Sequence, residues 1–283
     1  MDTKARLFAM TLDLESDFSG ALHKEVTLLH QPRRAEDLLT RLKERGIPLS
    51  AFVVGELLEK FPELIELFMR YGTEFHCHSY GHDPKDTDSG AEIERARDAF
   101  VDCFGSPPLG YRAPDGRISR EGITQLAANG FKFDASVFPS YYPNPFKYLF
   151  RRSQPHFYRD TQVVEIPNTP ISALRIMLSL SYIKLLGIRP YLRLLRWSRL
   201  PETAVFGSHL HDFFTDAEAL SRMPRFWRVV YGRNRDRGLD FLDEILDFFQ
   251  AKGYSFVTMS QVYSRFVESV GSRNGEEAEK DDR

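Results

Sequence analysis

The chain has 283 residues, of which 42% are hydrophobic and 28% charged, and its formal charge is −2. That length allows one large α/β domain or two smaller ones, with ample material for a buried core. The composition excludes a disordered or fibrous chain, and the near-neutral charge gives no reason to expect a nucleic-acid partner.

Residues 7–12 form an apolar run that reads as a buried strand. The run is short and leads straight into Asp13, which does not suit a secretory signal, so a cytoplasmic protein is the expectation. No stretch is long enough for a transmembrane helix. The acidic residues Asp13, Glu15 and Asp17 follow this first strand. Residues 34–45 read as a helix ended by Gly46, 49–54 as a second strand, and 56–71 as one helix stopping at Gly72. Residues 73–77 read as a third strand, leading into His78-Ser79-Tyr80-Gly81-His82. Two imidazoles four apart can point the same way, and a carboxylate from a distant segment could complete a three-ligand metal site with a position open for water. Cys77, beside His78, reads as a small buried filler or as a redox or metal group, and two cysteines make no disulfide framework.

The amphipathic pattern of residues 89–104 predicts a helix stopped by Gly105, and 109–112 reads as a strand. A helix over 119–129 with Ser119 as N-cap and a strand over 131–134 come next. Residues 140–160 are rich in Tyr, Pro, Phe and Arg and read as an irregular excursion, which extends to about residue 200. Strands are expected at 162–166, 204–208 and 255–258, and helices at 238–252 and 260–270. From 271 to 283 the chain is charged and reads as a disordered tail after a single domain of residues 1–270. Seven or eight strands separated by helices argue for an α/β parallel sheet or barrel. In such barrels the chemistry gathers where strands end. Asp13, Glu15, His78, His82, Arg112, Asp134, His209 and His211 all fall at strand ends.

The segments Thr-Leu-Asp-Leu-Glu (11–15), His-Ser-Tyr-Gly-His (78–82), Tyr-Arg-Ala-Pro-Asp-Gly (111–116), Phe-Asp-Ala-Ser (133–136) and Ser-His-Leu-His-Asp (208–212) occur in that order. In this they resemble the polysaccharide deacetylase, or NodB-homology, family over most of the chain. The resemblance implies a distorted (β/α)7 barrel and metal-dependent hydrolysis of an N-acetyl or N-formyl group on an amino sugar. It implies Asp13 as general base. Leu14 stands where many members have a second Asp, so Glu15 becomes the carboxylate ligand, as in a branch whose first motif reads Asp-x-Glu or Asp-x-Asp; Asp17 ranks below it. His78 and His82 complete a set suited to zinc, with cobalt, nickel or iron as other occupants. Arg112 is similar to the arginine that orients the base, and its fork could hold a carboxylate bidentately. Tyr111, Pro114, Asp134 and Pro139 are the implied substrate contacts, with Asp134 also able to fix a neighbouring histidine and Ala135 departing from the usual Ser.

His209 is preferred over His211 as general acid because the strand at 204–208 ends directly before it; on a continuing strand both would face the same rim. An amine leaves poorly unless protonated, so a separate acid is needed. A backbone N–H near Tyr111 is expected to help hold the oxyanion.

Between 171 and 200, apolar residues interleave with Arg175, Lys184, Arg189, Arg193, Arg196 and Arg199, with no acidic residue. Two short helices broken by Pro190 are expected there. They either pack on the barrel or lie on an anionic membrane on its cytoplasmic side, and the second case would make the substrate a lipid-linked saccharide. The other readings are a glycan-binding barrel without activity and an amidohydrolase of a non-sugar amide.

Overall fold

The computed structural model describes residues 5–18, 22, 24, 26–83, 85–140, 149–171 and 173–281, with side chains described through 272. Part of the expected excursion, 141–148, lies outside the described residues. The chain alternates strands and helices. Seven strands run parallel in the order β10-β1-β2-β3-β4-β5-β7, and β6 lies antiparallel at the end beside β7. They span Arg6–Leu14 (β1), Leu49–Val53 (β2), Glu74–Cys77 (β3), Gly110–Tyr111 (β4), Phe133–Asp134 (β5), His156–Phe157 (β6), Val164–Glu165 (β7) and Thr203–Phe206 (β10). A separate hairpin pairs Pro170–Ile171 (β8) with Ile176–Met177 (β9), and Tyr254–Phe256 (β11) pairs with the start of β1.

This is the expected distorted (β/α)7 barrel, and the distortion has a location. Between β7 and β10 no strand ladder forms among the described residues. The gap is crossed by single bonds: Thr169 N to Val205 O at 3.3 Å, Gly207 N to Leu178 O at 3.1 Å and Leu180 N to Gly207 O at 3.0 Å. The segment left irregular by its sequence is therefore the one that closes the sheet.

Strand β1 shows why the acidic cluster faces inward. Parallel strands covered on both sides read as continuous apolar runs, and their side chains alternate between the two faces. Phe8, Met10, Leu12 and Leu14 pack in the large core that includes the surrounding helices, whereas Leu7 and Ala9 join Phe52, Phe133, Val164 and Val205 in a smaller cluster. Asp13 and Glu15 continue the Leu7–Ala9 side, whereas position 14 points to the other side, where Leu14 is fully buried in the large core.

The expected helix over 56–71 is two helices, Gly55–Lys60 and Pro62–Arg70. Pro62 clashes with helical geometry at Phe61 and is itself well placed at the start of the next helix. In the basic segment the helices are Leu180–Leu186 and Ile188–Trp197. The break is at Gly187 (φ 88°), not at Pro190, which sits in the first turn of the second helix where a missing N–H costs nothing. Leu180, Ile183, Tyr191, Leu192 and Leu195 all enter the core, so the apolar side of this segment packs on the barrel. The last helix is assigned from Met259 to Asp281, running into the charged segment expected as a tail. No described helix is long and apolar enough to cross a membrane.

Candidate metal and catalytic centre

Four strand ends converge on one point. Asp13 lies at the end of β1 with Glu15 just beyond it, His78 and His82 follow β3, Arg112 follows β4, and His209 follows β10 with a bridge to Asp13. Glu15, His78 and His82 are all buried, and their ligand atoms lie within 4.8 Å of one another.

The two imidazoles are aimed from behind. His78 Nδ1 meets Arg112 O at 2.7 Å, and His82 Nδ1 lies 3.0 Å from an Asp17 carboxylate oxygen. Each Nε2 therefore faces Glu15, at 3.7 Å from His78 and 3.1 Å from His82. His82 Nε2 lacks the alignment of a hydrogen bond despite that distance, and Glu15 Oε1 is also buried without a hydrogen-bond partner among the described residues. Buried polar atoms are seldom left unpaired, so two of them converging in a carboxylate–imidazole cluster fit a divalent cation. Burial alone would raise the Glu15 carboxyl, but His209 and His82 hold it well below its ordinary value. Burial would lower His82, yet Glu15 and Asp17 push it up to about 10. A metal would take the place of that proton.

Asp17, ranked second as a ligand, instead holds His82 from its far side. Such a partner fixes the ring and its tautomer, and its loss commonly lowers metal affinity about 10- to 100-fold. Asp17→Asn is expected to weaken zinc binding by that amount, read by competition with a chelating dye; unchanged affinity would mean that Asp17 has no hold on the site.

Asp13 is paired with Arg112 through Nη1, which also donates to Thr11 Oγ1 at 3.1 Å. The pairing is not the bidentate fork expected: Arg112 Nη2 has no partner among the described residues, and Nε donates to Ala135 O. The guanidinium lies over the Phe52 ring, 3.9 Å from its centroid. Asp13 Oδ2 is left facing His209 Nε2 at 3.8 Å.

His209 and His211 part company because the strand does not continue. His209 caps the short helix Leu210–Phe213, with Asp212 accepting from its backbone N at 3.0 Å and lying 3.1 Å from its Nδ1. Its Nε2 points into the centre, also 3.8 Å from Glu15. Burial opposes its charge, but Glu15 and Asp212 raise it to about 10. His211 is stacked behind His209 and against Phe18, and burial with the adjacent His209 lowers it to about 4. His209, His211 and Asp212 also lie within 4.8 Å. There, however, Nδ1 of His209 is engaged by Asp212.

The implied substrate contacts are placed elsewhere. Tyr111 is fully buried and donates to Thr87 O. Asp134 is buried in a cluster with Ser136, Tyr158 and Glu165, where Tyr158 donates to both carboxylates. Burial raises both carboxyls, so a shared proton is the expected state, and no histidine is held there. Pro114 and Pro139 are buried and do not line the cavity described next. Two of the backbone donors near Tyr111 are already engaged. Arg112 N is bonded to Cys77 O and Ala113 N to Ser136 Oγ. Cys77 itself is buried, with burial raising its thiol, and acts as core filler.

Two clefts meet at the centre. A cavity of about 340 Å³ is lined by Asp13, Glu15, His78, His209 and Lys184, and walled by Phe138, Tyr182, Leu185, Phe226 and Trp227. A more polar groove of about 1140 Å³ reaches His82 and Asp17 from the other side, with Asp115, Trp227 and Tyr231 common to both. The aromatic wall was missed in the sequence because the helix Arg225–Gly232 that supplies much of it was not singled out. Its apolar spacing, Phe226, Trp227, Val230 and Tyr231, was the available signal.

Residues 3–133 match the model of the family described as polysaccharide deacetylase. A peptidoglycan deacetylase of Helicobacter pylori is 28% identical over 104 residues, covering 35% of this chain and 36% of that protein. The chain thus spans about a third of the length of that relative. A solved structure described as a probable polysaccharide deacetylase from Pseudomonas aeruginosa aligns with a TM-score of 0.59 at 15% identity, over 92% of this chain and 91% of the other. Puue allantoinase aligns with a TM-score of 0.58 at 16% identity, over 93% and 91%. Likenesses at such identities establish the fold.

Proposed function

We propose that the chain, whose residues 3–133 match the model of the polysaccharide deacetylase, or NodB-homology, family, is a member of that family and a metal-dependent hydrolase removing an N-acetyl or N-formyl group from an amino sugar of a glycan or lipid-linked saccharide. The observation that carries this reading is the cluster of Glu15, His78 and His82, with two buried atoms unpartnered, between the Asp13–Arg112 and His209–Asp212 pairs. A divalent ion held by those three side chains, most suitably zinc, would polarise the acyl carbonyl and acidify water.

The chain's own residues supply the proton transfers. Asp13, oriented by Arg112, takes the proton of the attacking water. His209, with Nδ1 held by Asp212, presents Nε2 to the leaving nitrogen and donates its proton, releasing acetate or formate and the amine. The pKa of about 10 for His209 belongs to the metal-free centre, and neutralising Glu15 would lower it toward the working range. His211, low and turned into the wall, supports the ring of His209. Free Cys77 and Cys103 accord with the cytoplasmic setting that forms part of the same proposal.

A second reading, hydrolysis of a non-sugar amide such as a ureide or imide, draws on the likeness to an allantoinase fold. A panel of N-acetyl and N-formyl amino sugars, free and lipid-linked, beside ureides and imides separates the two. Zinc-dependent acid release from the amino sugars alone is expected. Turnover of ureides alone would replace the proposal, and saturable glycan binding without turnover would point to an inactive barrel.

A further inference from the structure

The helix Arg225–Gly232 forms a wall of the catalytic cavity yet buries none of its residues. Trp227 and Val230 face the cavity, while Phe226 at its mouth and Val229 are 69% and 67% exposed. Phe226 and Val229 are three apart and so share a side, with Arg225 four before Val229 on the same flank. The adjoining helix Leu180–Leu186 adds Leu186, 38% exposed.

Along the sequence that carries these apolar side chains the charge is of one sign. No acidic residue occurs between Glu218 and Asp236, a span that holds Arg222, Arg225, Arg228, Arg233 and Arg235. Arg228 is spent on the carbonyls of Ser221 and Met223. Arg225, Arg233 and Arg235 are exposed and have no ion-pair partner among the described residues. Leaving Phe226 and Val229 in water is unfavourable, and a rim of unpaired arginines would repel a second basic surface. Exposed apolar side chains flanked by unpaired arginines match the composition of an interfacial membrane surface, where the former enter the headgroup boundary and the latter meet anionic lipids.

We propose that this lip docks the protein on an anionic lipid bilayer, with the mouth of the catalytic cavity against the membrane, so that the acylated amino sugar reaches it from a membrane-borne carrier. The docking stands on the surface alone; the identity of the sugar carrier rests on the hydrolase reading above. Apart from Leu186, the surface differs from the 171–200 stretch, whose Leu180, Ile183, Tyr191, Leu192 and Leu195 are in the core.

The test is co-sedimentation of the zinc-loaded full chain with vesicles of phosphatidylcholine alone or mixed with phosphatidylglycerol, beside Val229→Ser and the double variant Arg233→Gln, Arg235→Gln. Binding at least tenfold tighter to the anionic vesicles is expected, weakened by salt. Removing arginines should cost about fivefold each, and Val229→Ser severalfold. Hydrolysis of a soluble acylated amino sugar should be unchanged in these variants. Equal or absent binding to the two vesicle types, or binding that neither variant alters, would overturn the docking. So would a concentration-dependent dimer that Val229→Ser dissolves, because a second copy would then cover the lip. Vesicle binding without hydrolysis of any amide would count against the hydrolase reading and leave the docking intact.

Discussion

Asp13→Asn is expected to bind zinc as tightly as the unaltered chain and to hydrolyse acylated amino sugars about 100- to 10,000-fold more slowly, with the loss in kcat. The amide keeps an acceptor oxygen for Arg112 Nη1, so the buried guanidinium is not abandoned, but it cannot take a proton from water. Asp13→Ala confounds the two effects. Removing one partner of a buried ion pair costs about 3–5 kcal/mol of stability, and Arg112 is only 1% exposed. The isosteric variant therefore isolates chemistry from folding. Steady-state kinetics beside a zinc titration checks it, and an Asn variant with near-normal kcat would remove Asp13 from the role of base.

The second large effect separates the two late histidines. His209→Gln is expected to lose about 100- to 10,000-fold in kcat on amides, whereas His211→Gln should lose far less, because its ring is stacked behind His209 and against Phe18 instead of facing Asp13. The loss should depend on the leaving group. An aryl ester, whose phenolate leaving group departs without protonation, should restore much of the His209→Gln rate and leave the Asp13→Asn deficit in place. Equal losses on both substrates would mean that His209 does not act as an acid, and a greater loss in His211→Gln would transfer the role to it.

Much of the fold and of the centre could be read from residue order, for identifiable reasons. β1 is a continuous apolar run because both of its faces are covered, and its period of two carries Asp13 and Glu15 to one side while sending Leu14 to the other. The histidine pair sits directly after a strand, so its position at the rim follows from topology. Pro62 and Gly187 were local signals that override helical periodicity, and both were available to be read. Other features depend on tertiary contact alone. The grip of Asp17 on His82 joins residues 65 apart, and Tyr111 and Asp134 turn away from the cavity because Thr87, Tyr158 and Glu165 claim them. The aromatic wall depends on how Arg225–Gly232 is laid across the cavity, which residue pattern alone does not determine.

Bound metal, measured by elemental analysis on the purified chain after zinc loading and dialysis, bears most directly on the proposed centre. About one divalent ion per chain is expected, retained in Asp13→Asn and lost in Glu15→Ala and His78→Ala. Uptake should strengthen as pH rises toward 10, because protons compete for His82 below that point. A wild-type chain that takes up no divalent ion when one is supplied, or a Glu15→Ala chain that keeps it, would contradict the centre described.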